Sequence, residues 1–368
     1  MQKEAIMTHW HPTWIEIDVK QFRKNIQTVR DLIGNILYCL PIKANAYGHG
    51  LIDIGKIAVE EGVDYLAVAH ASEGVLLRQE GIHVPILVMG AIHKEQIEDL
   101  LCYDLEVSVS SRLKAELIRE QCKKLQKRCK VHIEIDTGMH RTGMRPESAI
   151  LLYEELSSDP FLDVVGIYSH FASTGTQGNE QMERFQNICQ TIDSITKKPL
   201  IRHIGNSAGI IALSLSFLDM VRPALLSFGY GELNGIAPCF SLKSTVSYFK
   251  VVEKDKGISY GHTFYTKKTS RIVTISVGYG DGYRRDLSNQ GQVLIRGKKY
   301  PIVGTICMDQ FMVDIGKDDI FVGDEVVLIG KQGNEEITLQ EIAKLCNTIP
   351  YEILCGLNQR VPRIYVNS

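Results

Sequence analysis

Eight short apolar runs, spaced by segments of helical length, constrain this chain more than any other feature. The runs cover residues 36–42, 65–69, 85–89, 105–109, 131–135, 164–169, 200–204 and 220–228. They are rich in Val, Ile and Leu without polar alternation, which suits strands buried on both faces of a parallel sheet. Between them lie helix-like segments at 52–61, 72–79, 96–101, 111–125, 146–156, 180–196 and 208–214. Strands alternating with helices imply an α/β fold, and eight strands close a (β/α)8 barrel of the TIM type. No sequence repeat accompanies the alternation.

The pattern changes near Gly235. Candidate strands then follow one another at 246–252, 271–277, 292–295, 300–306, 311–315 and 325–329, punctuated by Gly, Lys and Asp turns. Only 338–346 reads as a good helix there, with Thr338 as cap and Glu341 three residues on. The expected organisation is a barrel over 1–238 and a mainly β domain over 239–368, and a length of 368 residues suits two domains. Residues 13–18 are a further strand candidate ahead of the barrel. The sequence leaves open whether that strand joins the β domain.

Composition narrows the setting. A net charge of −2 leaves no footprint for a nucleic-acid partner. No apolar run approaches the roughly 20 residues of a membrane span. Residues 1–7 are too short and too polar for a signal peptide. The nine cysteines are odd in number and contain no Cys-x-x-Cys, which argues against a disulfide framework or a zinc ribbon. A reducing cytoplasm is expected, for a free protein or for the cytoplasmic part of a membrane protein.

Barrel enzymes carry their chemistry at the carboxyl ends of the strands. Lys43 follows the first run, Arg141 the fifth, and His170 ends the sixth. Asn206 and Ser207 follow the seventh, and Arg222 lies in the eighth. Reactive residue types thus fall on one rim, whereas purely structural polar residues would scatter over both ends. A crowded lysine loses its proton more easily and becomes a nucleophile toward aldehydes, although a strand-terminal lysine is ordinarily solvated. Loops after strands seven and eight often build phosphate sites from amides and hydroxyls. Ser207, with the amides near Leu225, fits that use and equally fits a helix N-cap. Taken alone, Arg222 reads as a salt-bridge residue and Tyr260 as a turn tyrosine at a hairpin.

The run Pro41-Ile42-Lys43-Ala44-Asn45-Ala46-Tyr47-Gly48-His49-Gly50 resembles the cofactor-lysine signature of the alanine racemase family, whose members carry pyridoxal 5'-phosphate on that lysine. Asp136-Thr137-Gly138-Met139-His140-Arg141-Thr142-Gly143, Tyr168-Ser169-His170-Phe171-Ala172 and Met220-Val221-Arg222 resemble further blocks in the family's order. So do Ser259-Tyr260-Gly261, Gly278-Tyr279-Gly280-Asp281-Gly282, Cys307-Met308-Asp309-Gln310 and Arg360-Val361-Pro362-Arg363. Together they span nearly the whole chain.

The resemblance implies a pyridoxal-phosphate racemase that interconverts L- and D-alanine for peptidoglycan, working as a head-to-tail homodimer with shared active sites. It places the cofactor on Lys43 and its phosphate among Tyr47, Asn206, Ser207, Leu225 and Tyr351. Arg222 meets the pyridine nitrogen with His170 beside it. An arginine stays protonated and can only donate to that nitrogen, which weakens the electron sink and favours return of the proton to Cα. Racemisation needs proton transfer on both faces of a planar carbanion, hence two acid/base groups. Lys43 covers one face and Tyr260, from the partner subunit, the other. A phenol with an ordinary pKa of about 10 needs a nearby cation for this task, and the His170–Arg222 pair offers one. Arg141 and the partner's Met308 amide hold the substrate carboxylate, with Tyr279 and Asp309 lining the site.

One departure stands out. Many family members have a carbamate-modified lysine two residues before the Asp-Thr-Gly, and here that position is Glu134. Its carboxylate is expected to supply the same negative charge beside Arg141. His132, Glu134 and Asp136 share a strand face and imitate a metal site, yet one strand cannot surround an ion, so no metal is expected. A decarboxylase of similar architecture is disfavoured by the lack of any Gly-Gly pair and by Arg222 in place of an acid. A non-catalytic cofactor carrier would lack the domain with Tyr260, and a metal-dependent barrel hydrolase remains a third alternative. Within the family, a serine racemase domain of the vancomycin-resistance type is the other reading. A bulky Tyr351 at the pocket wall favours alanine over serine.

Overall fold

The computed structural model describes residues 11–196, 198–213 and 218–368. The opening residues 1–7, read above as no signal peptide, and the last residue of the 208–214 segment lie outside them. The chain forms two compact units. One comprises residues 11–20, Tyr47–Gly50 and Cys239–Ser368, and the other comprises Gln21–Ala46 and Leu51–Pro238.

The strands of the second unit follow β1 (Trp14–Asp18) in the chain. They are β2 (Leu37–Pro41), β3 (Tyr65–Val68), β4 (Ile86–Val88), β5 (Glu106–Val109), β6 (Cys129–Glu134), β7 (Leu162–Tyr168), β8 (Ile201–His203) and β9 (Met220–Val221). They pair in parallel in the order β8-β7-β6-β5-β4-β3-β2-β9. The Arg222 amide donates to Gly205 O at 2.7 Å and the Asp219 amide to Arg202 O at 3.0 Å, so β8 and β9 meet and the barrel nearly closes. Seven strands lie where the apolar runs place them. The eighth differs: after Val221 the chain leaves the sheet, and Ala224–Ser227 is a short helix. Pro223, which lacks an amide proton, stands at its start.

A helix the sequence reading did not single out, α1 (Val19–Ile33), precedes the barrel. Val19, Phe22, Ile26, Val29 and Ile33 are buried at helical spacing, and Phe22 stacks on Phe228 with ring centroids 5.6 Å apart. The barrel's interior is divided. Cys39, Tyr65, Ala67, Leu87 and Met220 form an apolar cluster from β2, β3, β4 and β9. Glu106, Ser108, His132, Glu134, Tyr168 and His203 are buried on β5 to β8.

The other unit is mainly β. Its sheet contains β10 (Phe240–Val252), β13 (Ser270–Ile275), β14 (Gln292–Ile295), β15 (Lys298–Val303), β16 (Phe311–Gly316), β17 (Glu325–Gln332), β18 (Glu335–Ile337) and β19 (Arg363–Val366). A β10–β17 pairing closes β10, β17, β14, β15, β16 and β13 into a ring. Beyond β10 lies β1, antiparallel to it with Trp14 opposite Lys243. The strand β1 is also parallel to β19, with Ile15 opposite Arg363. A small hairpin, β11 (Gly257–Ile258) with β12 (Phe264–Tyr265), projects separately. Besides the expected helix at Leu339–Leu345, a second one occupies Pro350–Gly356, with Pro350 at its first position and Ile353 and Leu354 buried. Among the described residues no helix is long and apolar enough to cross a membrane.

Gly282 shows how tightly this unit packs. Its φ is +92°, and an added Cβ would stand 2.1 Å from Gly356 O. Gly282→Ala is expected to destabilise the protein by roughly 2 kcal/mol or more, from left-handed strain plus overpacking. Urea unfolding measures it, and an unchanged midpoint would contradict this packing.

Candidate active site

At the rim, β2 ends with Pro41 and Ile42 buried and Lys43 exposed. Ala44, Asn45, Ala46 and Tyr47 then all adopt left-handed backbone angles, with φ of 52°, 57°, 52° and 52°. Each such residue costs about 1–2 kcal/mol. The turn is held by hydrogen bonds. The Ala44 amide donates to Glu73 Oε1 at 2.7 Å, the Ala46 amide to Ile42 O at 2.8 Å, and Leu51 N to Asn45 Oδ1 at 2.8 Å. Glu73 Oε2 also accepts from the amides of Ala69 and His70 at 2.9 and 3.2 Å. The carboxylate therefore ties the lysine turn to the end of β3. Glu73 was not among the residues singled out from sequence.

Arg222 is buried just past β9. Its Nη1 donates to His203 Nδ1 at 2.6 Å, and its Nη2 donates to Ser169 O at 2.8 Å and lies 3.4 Å from His170 Nδ1. The guanidinium also sits over the Tyr168 ring, 5.3 Å from its centroid. Burial, then the charges of Arg222, Arg141 and Lys43, push His170 down to about 3. Three positive charges thus act on one neutral imidazole. With Nδ1 facing an arginine that can only donate, the His170 proton sits on Nε2. Burial, Arg222 and His132 likewise hold His203 well below its ordinary value. His203 is a further site residue absent from the sequence reading.

Glu134 accepts from Thr142 Oγ1 at 2.6 Å and from Ser108 Oγ at 3.4 Å. It reaches the residue beside Arg141 rather than Arg141 itself, which is exposed. Burial pushes Lys114 down to about 8 against the pull of Glu134. Of the expected shared face, His132 and Glu134 are both buried on β6. Asp136 lies beyond β6, where Oδ1 accepts from the amides of Gly138, Met139 and His140, each at 3.0 Å. His132 instead meets Glu106 and His203.

Ser207 is not the N-cap. That position belongs to Asn206, whose Oδ1 accepts from Gly209 N at 2.9 Å, at the start of the helix Ser207–Ala212. Asn206 Nδ2 also donates to Phe171 O at 3.3 Å. Ser207 Oγ accepts from Leu226 N at 3.4 Å, one residue past Leu225. The Ser207 hydroxyl thus joins the starts of the helices Ser207–Ala212 and Ala224–Ser227. An amine, a guanidinium that can only donate, and this hydroxyl-amide set match an aldehyde-bearing aromatic ring with an anionic tail. The donor chemistry of the rim fits pyridoxal phosphate.

The remaining candidates lie in the β unit. Tyr47 is buried and tilts against half-buried Tyr351, with centroids 5.7 Å apart. Tyr260 sits on a one-turn 3-10 segment in the β11–β12 loop and is 75% exposed. The Tyr260 carbonyl accepts from Thr305 Oγ1 at 3.0 Å, and Ser259 Oγ lies 3.5 Å from Cys307 Sγ. The Tyr279 amide donates to Cys307 O at 3.1 Å and the Gly280 amide to Met308 O at 2.8 Å. An added Cβ at Gly278 would stand 2.3 Å from Met308 O, so this glycine loop exists to let two backbones touch. Asp309 is ion-paired to Arg360 at 2.8 Å, and Arg360 also holds buried Asp281 at 2.7 Å.

A (β/α)8 barrel with an amine, a guanidinium and a neutral imidazole at its carboxyl rim defines a barrel enzyme of small-molecule chemistry. Residues 17–232 match the family description "Alanine racemase, N-terminal domain" and residues 239–365 match "Alanine racemase, C-terminal domain". The chain is similar to alanine racemase of Halothermothrix orenii, at 42% identity over 369 residues covering 97% of each chain. Its fold is similar to the solved alanine racemase of Clostridium difficile 630, with a TM-score of 0.90 and 36% identity over 96% of each chain. It is also similar to the crystal structure of alanine racemase from Bacillus anthracis with bound L-Ala-P, with a TM-score of 0.90 and 33% identity over 98% of this chain and 96% of that one. The chain belongs to the alanine racemase family of isomerases.

The neutrality of His170 has a consequence for stability. Its folded value lies below the ordinary one, so the unfolded chain takes up the proton first as pH falls. Its contribution is complete above about pH 6.5 and is lost toward pH 3, at up to about 1.4 kcal/mol per pH unit. Urea unfolding at about pH 7 and pH 5 is expected to show a smaller loss for His170→Asn than for the parent. Equal losses would show that His170 gains its proton in the folded state as well.

Proposed function

We propose that this chain is a pyridoxal-phosphate-dependent racemase that interconverts L- and D-alanine, with Lys43 and Tyr260 as its two proton-transfer groups. The observation that carries the reading is the rim itself, where Lys43 emerges from a left-handed turn and shares His170 as a neighbour with Arg222 and Arg141. Similarity to alanine racemases over both family segments supports it. Alanine rather than serine follows from the names of those relatives, including the Bacillus anthracis enzyme with bound L-Ala-P.

Lys43 would hold the cofactor, Arg222 its ring nitrogen, and Ser207, Asn206 and the amides near Leu225 its phosphate. Tyr47 and Tyr351 are proposed for the phosphate on the family's pattern alone. The bound cofactor would withdraw electrons from the substrate's Cα and so acidify the Cα–H bond. Lys43 Nζ takes the proton from one face, and the Tyr260 hydroxyl returns one to the other. Arg222 donates two of its bonds to Ser169 O and His203, and its third faces His170. His170 Nε2–H is thereby left to donate toward a phenolate. Arg141 would pair with the substrate carboxylate together with the partner's Met308 amide, Glu134 steadies the Arg141 loop through Thr142, and Tyr279 and Asp309 are proposed as lining residues on the family's pattern alone. The strong exposure of Tyr260 suits a residue donated to a second copy of the chain in a homodimer. The product would serve peptidoglycan synthesis.

Two measurements test this reading. In D2O with L-alanine and added cofactor, Lys43→Ala is expected to lower loss of the Cα–H signal by about 10²–10⁴-fold or more. Tyr260→Phe should still exchange that proton for one enantiomer while inversion collapses. Unimpaired racemisation by Lys43→Ala would reject the assignment. For the substrate, Tyr351→Asn is expected to raise the serine-to-alanine ratio of kcat/KM, by about 10–200-fold at most for one hydroxymethyl group. An unchanged ratio would remove Tyr351 as the selecting wall.

A further inference from the structure

The polar half of the barrel interior contains a single file of four buried side chains. Arg222 Nη1 lies 2.6 Å from His203 Nδ1. His203 Nε2 lies 3.0 Å from His132 Nδ1, and His132 Nε2 lies 2.9 Å from Glu106 Oε2. Glu106 is 3% exposed, His132 and His203 are 0% and Arg222 is 2%. The file runs from β5 through β6 and β8 to the residue after β9. At its outer end the exposed Lys130 brings its Nζ to 3.8 Å from Glu106 Oε1.

The two ends have fixed polarity. An arginine can only donate, and a carboxylate can only accept. Between them, the two imidazoles have one arrangement in which every donor meets an acceptor. His203 Nδ1 accepts from Arg222, so its proton sits on Nε2. His132 Nδ1 accepts that proton's hydrogen bond, so its own proton sits on Nε2 and points at Glu106. We infer that Glu106 and His132 are positioning residues for Arg222, locking His203 in the Nε2–H tautomer that gives the guanidinium an acceptor.

The sequence also makes room for this file. At Gly166 an added Cβ would stand 2.3 Å from His132 Nδ1 and 2.9 Å from Ile201 O. Only glycine leaves the His132 ring in the line. His203 is clamped from the side as well, stacked on Tyr168 at 4.8 Å with a 9° interplanar angle. Tyr168 is itself tied to Ser108 Oγ at 2.6 Å. The rings are therefore held in place, and their proton positions are the remaining freedom. Without an acceptor at 106, His132 can carry its proton on Nδ1. Two donors would then face each other across the 3.0 Å gap. His203 would relieve that by moving its proton to Nδ1, opposite the donating Arg222. The consequence for the cofactor rests on the proposed contact of Arg222 with its ring, whereas the tautomer lock itself does not.

The test is long-range 1H–15N NMR of the cofactor-free protein labelled at histidine nitrogen, with signals assigned by His132→Asn and His203→Asn spectra. The expected result is a proton on Nε2 and none on Nδ1 for both rings, and this part needs no variant at Glu106. Glu106→Gln keeps an acceptor oxygen and should preserve both tautomers. Glu106→Leu should convert His203 wholly or partly to the Nδ1–H form. A proton on Nδ1 of either ring in the parent, or an unaltered His203 in folded Glu106→Leu, would overturn the lock. With pyridoxal phosphate added, Glu106→Leu should shift the visible absorption band of the bound cofactor. A tautomer change without any band shift would leave the lock standing and reject the Arg222–ring contact instead.

Discussion

A buried guanidinium organises the mouth of this barrel. Taking a cation out of water costs several kcal/mol unless its donors are matched. Arg222 meets that cost with a carbonyl and two imidazole nitrogens, and with the face of Tyr168. Its backbone amide meanwhile donates to Gly205 and joins the last strand to the rest of the barrel. One residue therefore closes the sheet with its main chain and sets the electrostatics of the rim with its side chain. His170 stays neutral because it is buried, with the charges of Arg222, Arg141 and Lys43 adding to the effect.

Lys43 depends on a different kind of support. Four consecutive non-glycine residues in left-handed angles amount to several kcal/mol of local strain. The strain is tolerated because hydrogen bonds at Ala44, Asn45 and Ala46 hold the turn, of which the Glu73 carboxylate supplies the farthest-reaching. A right-handed continuation of the chain would carry Ala44 away from that carboxylate. The lysine thus leaves the strand in a direction imposed by its neighbours rather than by its own preferences.

Much of this was readable in the sequence. Short Val-, Ile- and Leu-rich runs mark buried parallel strands, and the strand-end rule places Lys43, His170, Asn206 and Arg222 on one rim. What escaped notice did so for physical reasons. The apolar stripe of α1 is one residue in three or four among Lys, Arg and Gln, so the segment reads as polar. Leu225, Leu226 and Phe228 look like a continuing strand, and only Pro223 signals that they turn into a helix. Asn206 rather than Ser207 caps its helix, a choice between neighbouring capping residues that spacing alone does not make. Glu106 and His203 have partners 26 and 71 residues from them in sequence, and only the barrel's register brings them together.

The divided interior of the barrel explains how such a file of charges can be accommodated. Barrel centres are ordinarily filled by layers of branched apolar side chains. Here such packing is found on the side of β2, β3, β4 and β9, where Cys39, Tyr65, Ala67, Leu87 and Met220 meet. The opposite side gives up dispersion and transfer energy for hydrogen bonds whose net worth is small. Its value lies in direction. Apolar burial is non-directional, whereas a donor-to-acceptor file fixes the orientation of each member. The apolar side holds the barrel together, and the polar side aims the groups at its mouth.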